Sequence, residues 1–181
     1  MKRKDFLIVA LAPLPVLLIP LVGMQVSKEW NWNLGSFVFG WVVIAGATFV
    51  YKLLATRTVA NFTYRLGAGL AVAAGFLLIW ISAAVQIIGD ENPGNMLYLG
   101  VILTGLVGVG LARFQPRGMA RAAFARALAT FLVPVIAFLA WPTDFSPGVE
   151  KVFLLNSCFV LMFVGAGLLF RHAAAPTPAP A

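Results

Sequence analysis

The chain has 181 residues, of which 61% are hydrophobic and only 10% charged, with a mean hydropathy of +0.95 and a net charge of +7. Soluble domains carry about 25% charged residues, so the composition excludes a soluble fold and gives the basic excess a topological meaning rather than one of nucleic-acid binding. The single cysteine, Cys158, excludes an internal disulfide and any CxxC metal motif.

A membrane-spanning helix needs about 20 mostly apolar residues. Six stretches free of Asp, Glu, Lys and Arg approach or exceed that length: 6–27, 30–51, 66–89, 92–112, 127–143 and 152–170. The sequence therefore predicts an all-α polytopic membrane protein. Its single domain, residues 1–172, holds six spans over about 6–24, 34–54, 66–88, 96–114, 118–141 and 152–170. The start, MKRKDFLIVALAPLPVLLIP, resembles a signal peptide, but its core is long, three prolines interrupt it and no small-residue cleavage site follows. It reads as a retained first span. Pro13, Pro15 and Pro20 each remove a backbone donor and predict a kink or a short unwound patch.

Trp30 and Trp32 suit a membrane interface before the second span. Asn61-Phe62-Thr63 matches a glycosylation sequon on what reads as a cytoplasmic loop, a chance match. In the third span Gly67, Ala71 and Gly75 recur every four residues and form a small-residue seam for close helix packing. Thr104, Gly108 and Ala112 repeat the pattern in the fourth. Pro116 ends that helix or starts the next. The fifth charge-free stretch is short, and Arg126 is expected to lengthen it by snorkelling to the interface. The Ala/Pro tail, 173–181, cannot build a core and is expected to be disordered.

Basic residues gather on the cytoplasmic side of bacterial membrane proteins. An arrangement with both termini inside places 11 of the 13 basic residues there, leaving only Lys28 and Lys151 outside. Five of the six acids fall outside.

Chemistry is sparse. No ionisable side chain is expected deep in a span, where a proton-coupled carrier needs one. The one histidine, His172, closes the last span, which excludes a bis-histidine haem and HExxH zinc chemistry within one chain. The reading is therefore non-enzymatic and without cofactor or metal. Asn156, Ser157, Thr104, Thr130 and Thr48 are polar groups at depth, expected to hydrogen-bond across helices. The turn Asp90, Glu91, Asn92 and Asn95 offers hard oxygen ligands around Pro93-Gly94, too few for calcium, and reads as a compact polar turn. Arg113, Arg117, Arg121 and Arg126 form a basic cluster expected to touch anionic lipid headgroups.

GDENPGNMLY (Gly89 to Tyr98), followed at a fixed distance by ARFQPRGMARAAFA (Ala112 to Ala125), resembles a pattern in small bacterial inner-membrane proteins for which no activity is established. The resemblance implies a bacterial inner-membrane location and no mechanism. The expected role is a packing or accessory component, partnered by the bilayer and by a second copy or another membrane protein. The alternative is a small transporter or channel for a neutral or weakly polar solute, its path lined by Asn156, Ser157 or Thr104.

Overall fold

The structure, a computed structural model, describes residues 3–27, 31–56, 61–89, 92–142, 145 and 148–175. Among them every regular element is helical: α1 (Arg3–Leu11), α2 (Pro13–Val26), α3 (Leu34–Ala55), α4 (Phe62–Val85), α5 (Leu97–Ala112), α6 (Pro116–Ala140) and α7 (Val149–Ala173), with a single 3₁₀ turn at Pro93–Met96. Taking α1 with α2, and the 3₁₀ turn with α5, six helical segments are long and apolar enough to cross a membrane. The chain is thus an all-α polytopic protein with six candidate spans. By internal contacts it divides into two units, Met1–Thr56 and Arg57–Ala181.

In the first unit, α1 and α2 pack along α3. The break at Ala12 follows from Pro13, whose fixed φ and missing N–H suit the first position of a new helix. Pro20 lies inside α2, and both Pro13 and Pro20 are buried. Asn33 caps α3 by accepting from the Ser36 backbone N–H at 2.9 Å. The Lys52 ammonium meets the Asp5 carboxylate at 3.4 Å, fastening the end of α3 to the start of α1.

In the second unit, α5 packs on α6, α6 on α7 and α7 on α4, whereas α4 and α5 barely touch. The arrangement is a ring of four helices with one loose side. Asn61 caps α4 through the Tyr64 N–H at 2.8 Å and donates its amide to the Ala173 carbonyl at the end of α7, at 3.3 Å. The sequon match is thus a helix cap. Tyr64 is fully buried, stacks edge-on against Phe170 and donates its hydroxyl to the Phe114 carbonyl at 3.0 Å. That bond holds the reversal between α5 and α6, where Arg113 and Phe114 both take positive φ. Pro116 then occupies the first turn of α6, two residues before the start expected at Gly118. The last helix also runs past its expected limits of 152 and 170.

The interior of this unit is built from Ala74, Leu78, Tyr98, Val101, Ala127, Val133, Phe159 and Phe163, among others. Its outside is as apolar as its inside. Leu154, Leu161 and Leu168, spaced by sevens, are 69%, 69% and 52% exposed on α7, a stripe that suits lipid and not water. Since lipid tails are as apolar as leucine, helix association here depends on close packing, and the glycines show where. A Cβ on Gly108 would lie 2.7 Å from the Ala122 Cβ on α6, and one on Gly67 would meet Leu169, Ala166 and Phe170 on α7. A Cβ on Gly118 would lie 2.8 Å from the Ala112 Cα. Gly100, on the same helix as Gly108, has open space beside it. We therefore expect Gly108→Val to destabilise the protein by about 1–3 kcal/mol through overpacking, with Gly100→Ala close to neutral. Thermal unfolding in detergent checks the pair, and equal effects would show that α5 and α6 are not in this register.

Candidate functional site: an unneutralised arginine among four helices

The expected basic cluster separates in the structure. Arg113, Arg117 and Arg121 are exposed around the α5–α6 turn. Arg126 is not with them, and it does not snorkel to the end of its helix. It lies ten residues beyond Pro116, the start of α6, which at 1.5 Å per residue is about 15 Å along the axis. The expectation that no ionisable group sits deep in a span is overturned here. Charge-free stretches are bounded by their nearest charge, so the fifth stretch began by definition at 127, whereas α6 starts eleven residues earlier. The usable signal was Pro116, which suits a first helical turn and puts Arg126 near mid-helix.

All four helices of the unit meet at this side chain. Its Cζ stands 4.6 Å from the ring centroid of Phe163 on α7, a cation–π contact. Gly75 on α4 and Gly105 on α5 flank the guanidinium. A Cβ on Gly75 would lie 2.9 Å from Nη2 and 3.0 Å from Nη1, and one on Gly105 would lie 2.8 Å from Nη1 and 3.0 Å from Nε. The two glycines thus make the space in which the charged head rests. They come from the pair of helices that barely touch, so the guanidinium fills their loose side. Gly75 belongs to the first expected seam, but its neighbour is this cation rather than another backbone.

No partner among the described residues neutralises the charge. Nε is sealed from solvent and has no acceptor. No carboxylate among the described residues pairs with the guanidinium, and the described ion pair, Lys52–Asp5, belongs to the other unit. An arginine offers five N–H donors in a planar fork that matches a carboxylate or phosphate. Placing one at the centre of a membrane helix costs about 2.5–3.5 kcal/mol on insertion scales. The Phe163 ring returns part of that, about 0.5–2 kcal/mol. The side chain as a whole is half-buried.

The other polar groups at depth are spent locally. Thr48 donates to the Ile44 carbonyl, Thr104 to Gly100, Thr130 to Arg126 and Ser157 to Phe153, all within their own helices at 2.7–2.9 Å. They were expected to bond across helices. Asn156 does so: its Oδ1 accepts from the Tyr98 hydroxyl at 3.0 Å, while its amide donates to the Val152 carbonyl at 2.8 Å. The Ser82 hydroxyl is buried without a partner. Asn156 is buried, whereas Ser157 and the free Cys158 are exposed on another face of α7.

At the acidic turn, Asp90 and Glu91 lie outside the described residues. Asn92 and Asn95 spend their side chains closing the turn. Asn92 Oδ1 accepts from the Gly94 N–H at 2.7 Å. Asn95 accepts from Ile88 and donates to the Gly89 and Asn92 carbonyls. No group of three or more His, Cys, Asp or Glu residues able to hold a metal occurs among the described residues. In the second expected seam, Gly108 packs on Ala122 and Ala112 lies against Gly118; Ala71 is half-buried on α4.

A charge held without a partner should be removable with gain. We expect Arg126→Met to unfold at a higher temperature than the native chain, with a stabilisation of about 0.5–3 kcal/mol, the insertion penalty less the lost cation–π contact. Thermal or steric-trap unfolding in bicelles reads this directly. A substantial loss of stability would show that the guanidinium has a partner within the fold.

Compared with protein-family models, curated proteins and solved structures, the chain matches none.

Proposed function

We propose that the chain is a non-enzymatic accessory component of the bacterial inner membrane, with both termini cytoplasmic, whose role is to bind another membrane constituent. One observation carries this reading: the Arg126 guanidinium, at mid-span among four helices, has no hydrogen-bond or ion-pair partner among the described residues. A cation kept at such depth against its insertion penalty marks a functional position by default. The described contacts of its guanidinium are with Gly75, Gly105 and Phe163, none of them a nucleophile or general base, and that setting supports binding rather than turnover.

A solute path through the chain draws less support. Thr104 and Ser157, which would line it, turn their hydroxyls back onto their own helices. Asn156 is engaged at both ends of its amide. Assembly with further copies through the glycine seams is also less favoured, because Gly67, Gly75 and Gly108 already face groups of this chain.

The orientation rests on the charge count: with Arg126 at mid-span, 10 of the other 12 basic residues fall on one side. Arg117 and Lys151 are both exposed, each in the first turn of its helix, α6 and α7; consecutive spans run in opposite directions, so this reading puts the two on opposite faces of the membrane. In a Cys158→Ser background, an impermeant maleimide added to intact cells should label Lys151→Cys and spare Arg117→Cys; the reverse pattern would invert the protein. The binding role predicts that the native chain, extracted in a lipid-preserving polymer, migrates in a complex of defined stoichiometry. Migration as a lone chain would contradict it.

A further inference from the structure

We infer that the loose side between α4 and α5 is a docking site for a transmembrane helix of a different protein, one that carries an aspartate or glutamate at mid-span and places it on Arg126. The inference rests on the binding role proposed above and names the chemistry of the partner.

Three observations converge. First, charge: a guanidinium with no ion-pair partner among the described residues calls for an anion, and a planar fork suits a carboxylate. Second, shape: α4 and α5 barely touch, and the residues they place beside the guanidinium are Gly75 and Gly105. Both glycines are buried against the guanidinium, so the charged head itself, lying in the gap between the two helices, is what an incoming carboxylate meets. Third, depth: Gly105 is seven residues from the end of α5 at Ala112 and Gly75 thirteen from the start of α4 at Phe62, about 10 Å and 20 Å along their axes. A lipid phosphate resides at the headgroup level. A side chain on a spanning helix reaches the middle of the bilayer without leaving its own path.

A second copy cannot supply the acid. Asp5 and Glu150 lie in the first turns of α1 and α7, and Glu29, Asp90, Glu91 and Asp144 fall in the sequence between the candidate spans. Among the described residues no acid stands at the depth of Arg126, and the other four acids lie in sequence outside the candidate spans, so the carboxylate inferred is that of another protein.

The test uses the full-length chain in phosphatidylcholine vesicles, with a donor dye on its C-terminal tail. The probes are acceptor-labelled, leucine-rich spanning peptides of about 20 residues with Asp or Asn at the centre. The Asp peptide should bind roughly tenfold more tightly than the Asn peptide. The preference should vanish in Arg126→Gln, survive in part in Arg126→Lys and weaken in Gly105→Ala, whose new methyl displaces the guanidinium. Native-like helicity and a cooperative unfolding transition in these variants confirm that they fold. Equal binding of the two peptides, or a preference that persists in Arg126→Gln, overturns the inference. Spin-labelled phosphatidylglycerol held in an Arg126-dependent way, with no preference between peptides, overturns it in favour of a lipid phosphate. Should the native chain travel in a complex while the peptides show no preference, the docking site falls and the accessory role stands; a chain that travels alone removes the role itself.

Discussion

The second unit is organised around one unfavourable placement. The Arg126 guanidinium sits over Phe163 and between Gly75 and Gly105, where the described residues give it no counter-ion. The surroundings follow from that constraint. A side chain at either glycine would occupy the volume of the charged head, and the aromatic face of α7 supplies the local electrostatic compensation. The loose contact between α4 and α5 is the geometric consequence of a bulky polar group held between them.

The rest of the unit is economical in its polar chemistry. The hydroxyls of Thr104, Thr130 and Ser157 bond to carbonyls one turn back, which satisfies them without involving a neighbour. Tyr98 and Asn156 complete each other across α5 and α7. At the α5–α6 turn, Tyr64 holds the Phe114 carbonyl where two consecutive residues take positive φ; at the other end of α4, Asn92 and Asn95 close the turn from within. Each of these groups is satisfied by the chain itself. Arg126 differs from all of them in being held by shape and by an aromatic ring alone, which is the physical basis for treating it as a site.

The six spans were legible in the sequence because a bilayer imposes length and apolarity so strongly that little else is needed. Their ends were less so. The apolar count placed the fifth span at Gly118, yet the helix takes Pro116 as its first residue; the last helix extends beyond the apolar run because Glu150, Arg171 and His172 are tolerated in its terminal turns. The candidate site was the part most poorly read. Arg126 looked like the fourth member of a basic cluster because Arg113, Arg117 and Arg121 precede it at short intervals. Only the registers of α4, α5 and α7 against α6 reveal that it faces inward, and no local pattern encodes those registers. Gly75 gave a partial signal, a small residue at a packing position, but a glycine that admits a backbone and one that admits a guanidinium read alike. Asn61 was a similar case: the sequon it belongs to distracted from its ordinary service as a helix cap.

The central claim is that Arg126 holds its charge among glycines at mid-span instead of at the headgroups. Solid-state NMR of the chain in lipid bilayers, with ¹⁵N-labelled arginine and ¹³C-labelled glycine, measures this directly. The account predicts a guanidinium-nitrogen to glycine-Cα dipolar contact that disappears in Arg126→Lys, together with no coupling of Arg126 to lipid ³¹P. A guanidinium coupled to lipid phosphorus, with no glycine contact that depends on Arg126, would contradict it.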